Sequence, residues 1–239
     1  MKMLRFSVLF VLLCCFWMKP VSAMHIMEGY LPPAMAAFWF VLFIPFFIAG
    51  LVRMKRMVET EQQSKIFLAL AGAFVFILSA LKIPSVTGST SHPTGVGLGT
   101  SMFGPSVMSV LGAICLLFQA LFLAHGGLTT LGANAFSMAV VGPFVGYAFY
   151  KIGLKLKLPK TWAIFLCAFV ADMATYLTTS LQLAWAYPDS ISGIMGSAIK
   201  FMSVFMITQF PIAVIEGLLS VLLFNLLAET KSIKGVFEG

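Results

Sequence analysis

Apolar residues in this chain come in long unbroken runs. They show neither the period-two alternation of half-buried strands nor the one-faced stripe of a soluble helix. The runs cover 34–52, 66–82, 105–124, 134–150, 161–185 and 203–228, and each approaches the roughly 20 residues that carry a helix across a bilayer. The polar breaks between them are short and unequal in charge. Arg53, Lys55, Arg56 and Lys65 cluster after the first run, and Lys151, Lys155, Lys157 and Lys160 after 134–150. Six crossings would leave these two groups on opposite sides, against the rule that cationic loops stay cytoplasmic. One further crossing between His92 and Pro105 brings them together. Residues 93–104 are Gly-rich and would reach only about 18 Å as a helix, a segment tolerated at membrane depth when other helices bury it. Pro93 suits its first helical position, and Gly104-Pro105 suits the turn that follows.

The first 23 residues follow a different pattern. Lys2 and Arg5 precede a short apolar core, Phe6 to Met18, and Val21-Ser22-Ala23 is a small-residue cleavage site. This is the form of a secretory signal peptide. Residues 24–239 are then one transmembrane domain of all-α class, a seven-helix bundle, with its new N-terminus outside. An uncleaved anchor is the alternative, with a core short for a span. Seven crossings place 125–133 and 186–202 outside, and 151–160, Lys231 and Lys234 inside, with Lys200 as the one cation on the wrong side. Pro45, Pro143 and Pro211 fall inside apolar runs, where they are expected to bend helices. Ala69-Leu70-Ala71-Gly72-Ala73 sets small residues four apart on the second span. That pattern lets another helix approach closely, whether from this chain or from another.

Composition agrees with a membrane protein: 60% hydrophobic residues, 24 Phe and only 10% charged. The net charge of +7 does not call for nucleic acid, because Lys2, Arg5 and Lys19 leave with the signal and the other cations sit mainly in short loops. Cys14 and Cys15 lie in the signal core, while Cys115 and Cys167 sit within apolar runs as small buried hydrophobes. No zinc-type spacing, G-x-S-x-G elbow, H-E-x-x-H or phosphate-binding G-x-x-x-x-G-K occurs, so nothing marks an enzyme.

The chain has three histidines, and the topology puts His25, His92 and His125 at the external face. Cleavage after Ala23 makes His25 the second residue of the mature chain. The Met24 amine, the His25 amide and the His25 imidazole can then wrap one metal ion in fused chelate rings, with the His92 imidazole as a fourth nitrogen. Four nitrogens in a plane suit Ni(II), Cu(II) or a constrained Co(II) better than tetrahedral zinc. Glu28 and His125 are candidates to steady an imidazole or a water from outside that set, as are Ser91 and Thr94 beside His92. Glu28 fits equally well as a solvated loop residue. Asp172 and Glu216 fall inside spans, where an ionisable group asks for a partner. Thr175, Tyr176, Thr178 and Thr179 are nearest in sequence to Asp172, and Gln209 and Asn225 flank Glu216. Haem ligation by paired histidines is a competing reading, which the placement of all three at loops disfavours.

Met24-His25-Ile26-Met27-Glu28-Gly29-Tyr30-Leu31-Pro32 resembles the mature start of the CbiM family. Ser91-His92-Pro93-Thr94-Gly95-Val96-Gly97-Leu98-Gly99, the stretch His125 to Asn134, and Pro211 to Gly217 are also similar to it. The family comprises substrate-capture (S) components of cobalt energy-coupling-factor transporters. The resemblance implies a six-helix S-component fold plus one N-terminal helix in the bacterial cytoplasmic membrane. It implies Co(2+) as transported substrate, or Ni(2+) in close relatives, held by Met24, His25 and His92, with no organic cofactor. Ala69 and Ala73 would meet a transmembrane coupling subunit, and cytoplasmic ATPases and a small auxiliary membrane protein would complete the importer. The cobalt would supply cobalamin biosynthesis.

Overall fold

Each apolar run becomes a helix. The computed structural model describes residues 25–61, 63–84 and 90–229. The expected signal peptide, Met24, Lys231 and Lys234 lie outside the described residues. Among the described residues seven helices follow in order: α1 Pro33–Thr60, α2 Ser64–Ala80, α3 Val96–Phe103, α4 Pro105–Phe122, α5 Leu131–Lys155, α6 Lys160–Ala186 and α7 Gly193–Glu229. Five of them (α1, α4, α5, α6 and α7) are long and apolar enough to cross a membrane. At 17 residues, α2 extends about 26 Å.

The short segment expected between His92 and Pro105 is helical as α3, whose eight residues rise only about 12 Å. Its residues Val96 to Thr100 are all buried, which removes the backbone from lipid as irregular membrane segments require. The helix starts later than the proline pattern predicts. Pro93 belongs to the preceding loop, and Gly95 turns the chain into α3 with φ +73°, a conformation open to glycine at little cost. Gly97 lets α3 touch α6: a Cβ there would overlap the Ala168 backbone. Pro105 opens α4, as expected.

Two local features have no counterpart in the hydropathy pattern. Ile83–Pro84 and Thr90–Ser91 pair as a small antiparallel ladder, which brings the chain back towards the bundle just before His92. In α5, residues Phe136–Val141 form a π turn directly ahead of Pro143. Proline lacks an N–H and its ring crowds the carbonyl four residues back, so the wider turn lets the helix pass it. Pro45 and Pro211 lie inside α1 and α7.

The core runs between α2, α4 and α5, around fully buried Val75, Val107, Met108, Met138 and Ala139. α6 packs between α5 and α7. α1 buries only Phe43 and Gly50 and stands at the edge of the bundle. Cys115 and Cys167 are buried free thiols that point at the Gly72 and Gly97 carbonyls. The segments before α1, between α2 and α3, and after α4 meet at one end of the bundle. Lys200, the cation at odds with the charge rule, pairs there with Asp189. Asp189 in turn accepts from the Ile191 and Ser192 amides.

Candidate metal centre

The segment leading into α1 is held by a polar clasp on α5. Asn134 Oδ1 accepts the Ile26 N–H at 2.8 Å, and Asn134 Nδ2 donates to the Ile26 carbonyl at 3.0 Å. The Thr130 hydroxyl donates to the same carbonyl at 2.6 Å. With Ile26 fixed on both backbone groups, His25 is carried into the bundle and is 4% exposed. Its Nε2 lies 3.2 Å from Gln119 Oε1. The Gln119 amide nitrogen donates to Ser79 Oγ at 2.6 Å, so Oε1 faces the ring and can only accept. The proton therefore sits on Nε2, which leaves His25 Nδ1 with a free lone pair. Nδ1 is the ring nitrogen that closes a six-membered chelate with the residue's own backbone nitrogen.

His92 is oriented by the same kind of logic. Its Nδ1–H donates to the Pro93 carbonyl at 3.0 Å, and Nε2 is buried with no protein partner. The backbone around it is fastened from α6 and α7. Tyr176 Oη accepts the His92 N–H and donates to the His92 carbonyl, both at 2.8 Å, and Gln209 Nε2 donates to that carbonyl at 3.1 Å. The second Gln209 contact is Asp172 Oδ2 at 2.5 Å. Glu216 accepts the Thr94 N–H at 2.5 Å and the Thr94 hydroxyl at 3.0 Å. That carboxylate sits at the start of α3, which has no side-chain cap of its own, where the helix dipole favours negative charge. Asp172 and Glu216 thus hold the loop that carries His92. Their partners come from other elements: Thr175, Thr178 and Thr179 bond back to carbonyls of α6 itself.

The structure brings His25, His92 and His125 together, with one candidate ligand atom from each lying within 4.8 Å of the others. Ring centroids are 4.6 Å apart for His25–His92, 4.5 Å for His25–His125 and 5.2 Å for His92–His125. Both ring nitrogens of His125 are buried without a partner. Burial holds His25 well below the usual imidazole range, with repulsion from His125 and His92 adding to it. Burial likewise lowers His92 to about 4 and His125 to about 3. All three are neutral at pH 7, the state in which imidazole binds a metal.

The other residues singled out in the sequence fall around this cluster. Glu28 is exposed and accepts the Thr129 N–H at 3.2 Å, while the Gly29 N–H donates to the Thr129 hydroxyl at 3.0 Å. It ties the N-terminal segment to the α4–α5 loop and touches no imidazole, and its hydrogen bonds to Thr129 lower its pKa. The Ser91 hydroxyl meets Thr208 at 2.9 Å. Ser91 and Thr94 therefore position the His92 loop from α7. Ala69 and Ala73 are exposed on α2 and line an apolar groove of about 360 Å³ against Leu111, Ile114 and Phe118 of α4. Gln119, Thr130 and Asn134 are positioning residues that the sequence reading did not single out, and Tyr176, read there only as a candidate partner of Asp172, holds the His92 backbone instead. A Gln in the middle of an apolar run was the signal available for Gln119.

Neutral imidazole nitrogens converging in a closed, buried space suit a divalent transition metal. Ca²⁺ and Mg²⁺ would want oxygen ligands. The comparisons with known proteins agree. Residues 25–232 match the family described as CbiM, cobalt uptake substrate-specific transmembrane region. A cobalt transport protein CbiM of Streptococcus sanguinis (strain SK36) is 66% identical over 92% of this chain and 91% of its own length. One from Listeria seeligeri is 59% identical over 88% of this chain and 86% of its own. The crystal structure of a transition metal transporter superposes with a TM-score of 0.74 at 26% identity, covering 90% of this chain and 96% of that one. The chain belongs to the CbiM family.

Proposed function

We propose that this protein is the metal-capture subunit of an ATP-driven importer of the energy-coupling-factor type and takes Co(2+) as its substrate from outside the bacterial cytoplasmic membrane. The observation that carries this reading is the convergence of His25, His92 and His125 in one buried cluster, with His92 Nε2 and both His125 nitrogens unpartnered. The ligand set is the Met24 amine, the His25 amide and Nδ1, and His92 Nε2. It requires a signal peptide cleaved after Ala23, so that the amine is free. The clasp on Ile26 supports it, because it holds the chain just one residue past His25. His125 faces the same space as a neutral group able to hold water or back the ion. The packed ring edges leave no slot for a porphyrin, which weighs against haem. Four planar nitrogens serve Ni(2+) as well, and nickel is the second cargo of this reading.

The exposed groove at Ala69 and Ala73 is the surface we assign to the transmembrane coupling subunit. ATP hydrolysis belongs to partner subunits, with a small auxiliary membrane protein completing the complex. Docking would distort the capture site so that it binds the ion less well, since release needs a difference in affinity between two states.

The decisive experiment joins N-terminal sequencing to metal analysis of purified protein. A mature chain starting at Met24 should hold about one cobalt or nickel, and a version with one extra residue between Ala23 and Met24 should hold none. Equal metal in both would remove the terminal amine from the site. His92→Ala should abolish tight binding, and wild-type affinity in that variant would sink the four-nitrogen set.

A further inference from the structure

His125 has no place in the four-nitrogen set, yet several local features hold it against that set. Its N–H donates to the Gln119 carbonyl at 3.1 Å, and the Gln119 side chain meets His25 Nε2. One residue in the last turn of α4 therefore carries both rings. Ala124 takes φ +47° and Gly126 φ +80°, and these left-handed turns on either side carry His125 inward to 1% exposure. Such a conformation is unfavourable for alanine. The loop then closes on the N-terminal segment. A Cβ on Gly126 would stand 3.3 Å from His25 Cβ, and one on Gly127 would overlap the Glu28 backbone. Neither ring nitrogen of His125 has a partner among the described residues, although buried polar atoms are rarely left so. A neutral imidazole has one nitrogen lone pair to give. A His125 nitrogen lies within 4.8 Å of the candidate ligand atoms of both His25 and His92.

The ring angles show how that lone pair would meet an ion. Chelation through the His25 amide and Nδ1 lays the His25 ring close to the plane of the four nitrogens. An imidazole bound above that plane holds the axis within its own ring plane, so it stands upright on the set. The His125 ring is inclined at 87° to that of His25, with centroids 4.5 Å apart. We infer that His125 is the apical fifth ligand of the captured ion and the residue that tips the site from Ni(II) towards Co(II). This rests on the planar set of the proposed function and adds the metal preference to it. In a strong planar field, low-spin Co(II) keeps a single electron in the orbital along the axis, so an apical nitrogen forms a net bond. Low-spin Ni(II) has that orbital filled and gains nothing from a donor there. Four planar nitrogens alone suit Ni(II), and a fixed fifth nitrogen moves the balance to Co(II).

The test uses mature protein starting at Met24, loaded with Co(II) or Ni(II) in the absence of oxygen. Electron paramagnetic resonance of the Co(II) form should show a low-spin axial signal whose lines are split into triplets by one apical nitrogen. In His125→Asn the triplets should vanish and Co(II) affinity in competitive titration should fall at least about 10-fold, while Ni(II) affinity stays as it was. His125→Ala leaves a space the size of the lost ring, and free imidazole should restore the triplets there, which a purely structural histidine would not allow. Wild-type Co(II) without triplets, or an unchanged Co(II)/Ni(II) preference in His125→Asn, would overturn the proposal. The planar set would still stand in that case if the chain extended before Met24 loses its metal. A high-spin Co(II) spectrum, or no metal bound at all, would overturn both. The wild-type spectrum decides alone where the variants do not fold.

Discussion

Three imidazoles sharing one buried space are costly to protonate, and this makes the metal-free protein sensitive to acid. Burial lowers His92 to about 4 and His125 to about 3, with His25 also well below its ordinary range, whereas unfolded histidine titrates near 6.5. Between those values the unfolded chain takes up protons that the native cluster refuses, so stability falls as pH falls. The contribution is fully present above about pH 6.5 and is lost progressively towards pH 4. Thermal unfolding of metal-free protein should therefore show a midpoint that drops between pH 7 and pH 4.5, and His125→Asn should flatten the drop. A midpoint independent of pH in this window would mean that the imidazoles are hydrated and titrate normally. Near neutrality the imidazoles are already neutral, each with one ring nitrogen free of a proton. Binding by the proposed set must still displace a proton from the terminal amine and one from the His25 amide, so affinity should rise with pH and its slope should lessen near the amine's reference pKa of about 7.7–8.0.

At the level of elements, α3 and the loop before it decide whether His92 is held where it is needed. α3 is too short to be anchored by lipid contact, and it is fixed by Glu216 at its start and by close approach to Ala168 at Gly97. Thr94→Val keeps the shape and removes one hydroxyl bond to Glu216, which should cost about 1–2 kcal/mol of stability. Glu216→Gln places an amide N–H where a carboxylate oxygen accepted. It should weaken metal binding about 10-fold, in the range for groups that orient ligands from behind. Calorimetric titration with Co(2+) alongside a thermal melt checks both, and unchanged affinity in Glu216→Gln would separate the loop from the site. The existence of α3 was legible in the sequence, because charge parity demanded a crossing that hydropathy alone does not reveal. Its start was not: Pro93 pointed to a helix beginning three residues earlier than Val96, and only the Gly95 turn and the distant Glu216 explain the shift. Asp172 and Glu216 were visible as buried charges, but their partners Gln209 and Thr94 are brought to them by packing between elements. His25 and His92 could be read as ligand candidates from the cleavage site and topology. The entry of His125 into the same cluster needed the folded bundle.

On the scale of the molecule, the histidines gather at one end of the bundle, and the apolar groove that we assign to the coupling subunit lies between α2 and α4. The groove is where small residues matter. Ala69 and Ala73 are exposed, one helical turn apart, and a passing helix can approach their backbone closely. Replacing both by Leu adds bulk on the exposed side of α2, away from the fully buried core residues Val75 and Met108. The isolated Ala69→Leu/Ala73→Leu protein should therefore fold and bind Co(2+) with wild-type affinity. Assembly with the coupling subunit should drop at least about 10-fold, since overpacking a close helix contact costs roughly 1–3 kcal/mol. Co-purification with tagged coupling subunit and uptake of labelled cobalt in cells give the two readouts. Lost uptake with intact binding would place capture and docking on separate surfaces of one rigid bundle. Intact assembly and uptake would show that α2 faces lipid throughout, and another face of the molecule would then have to meet the coupling subunit.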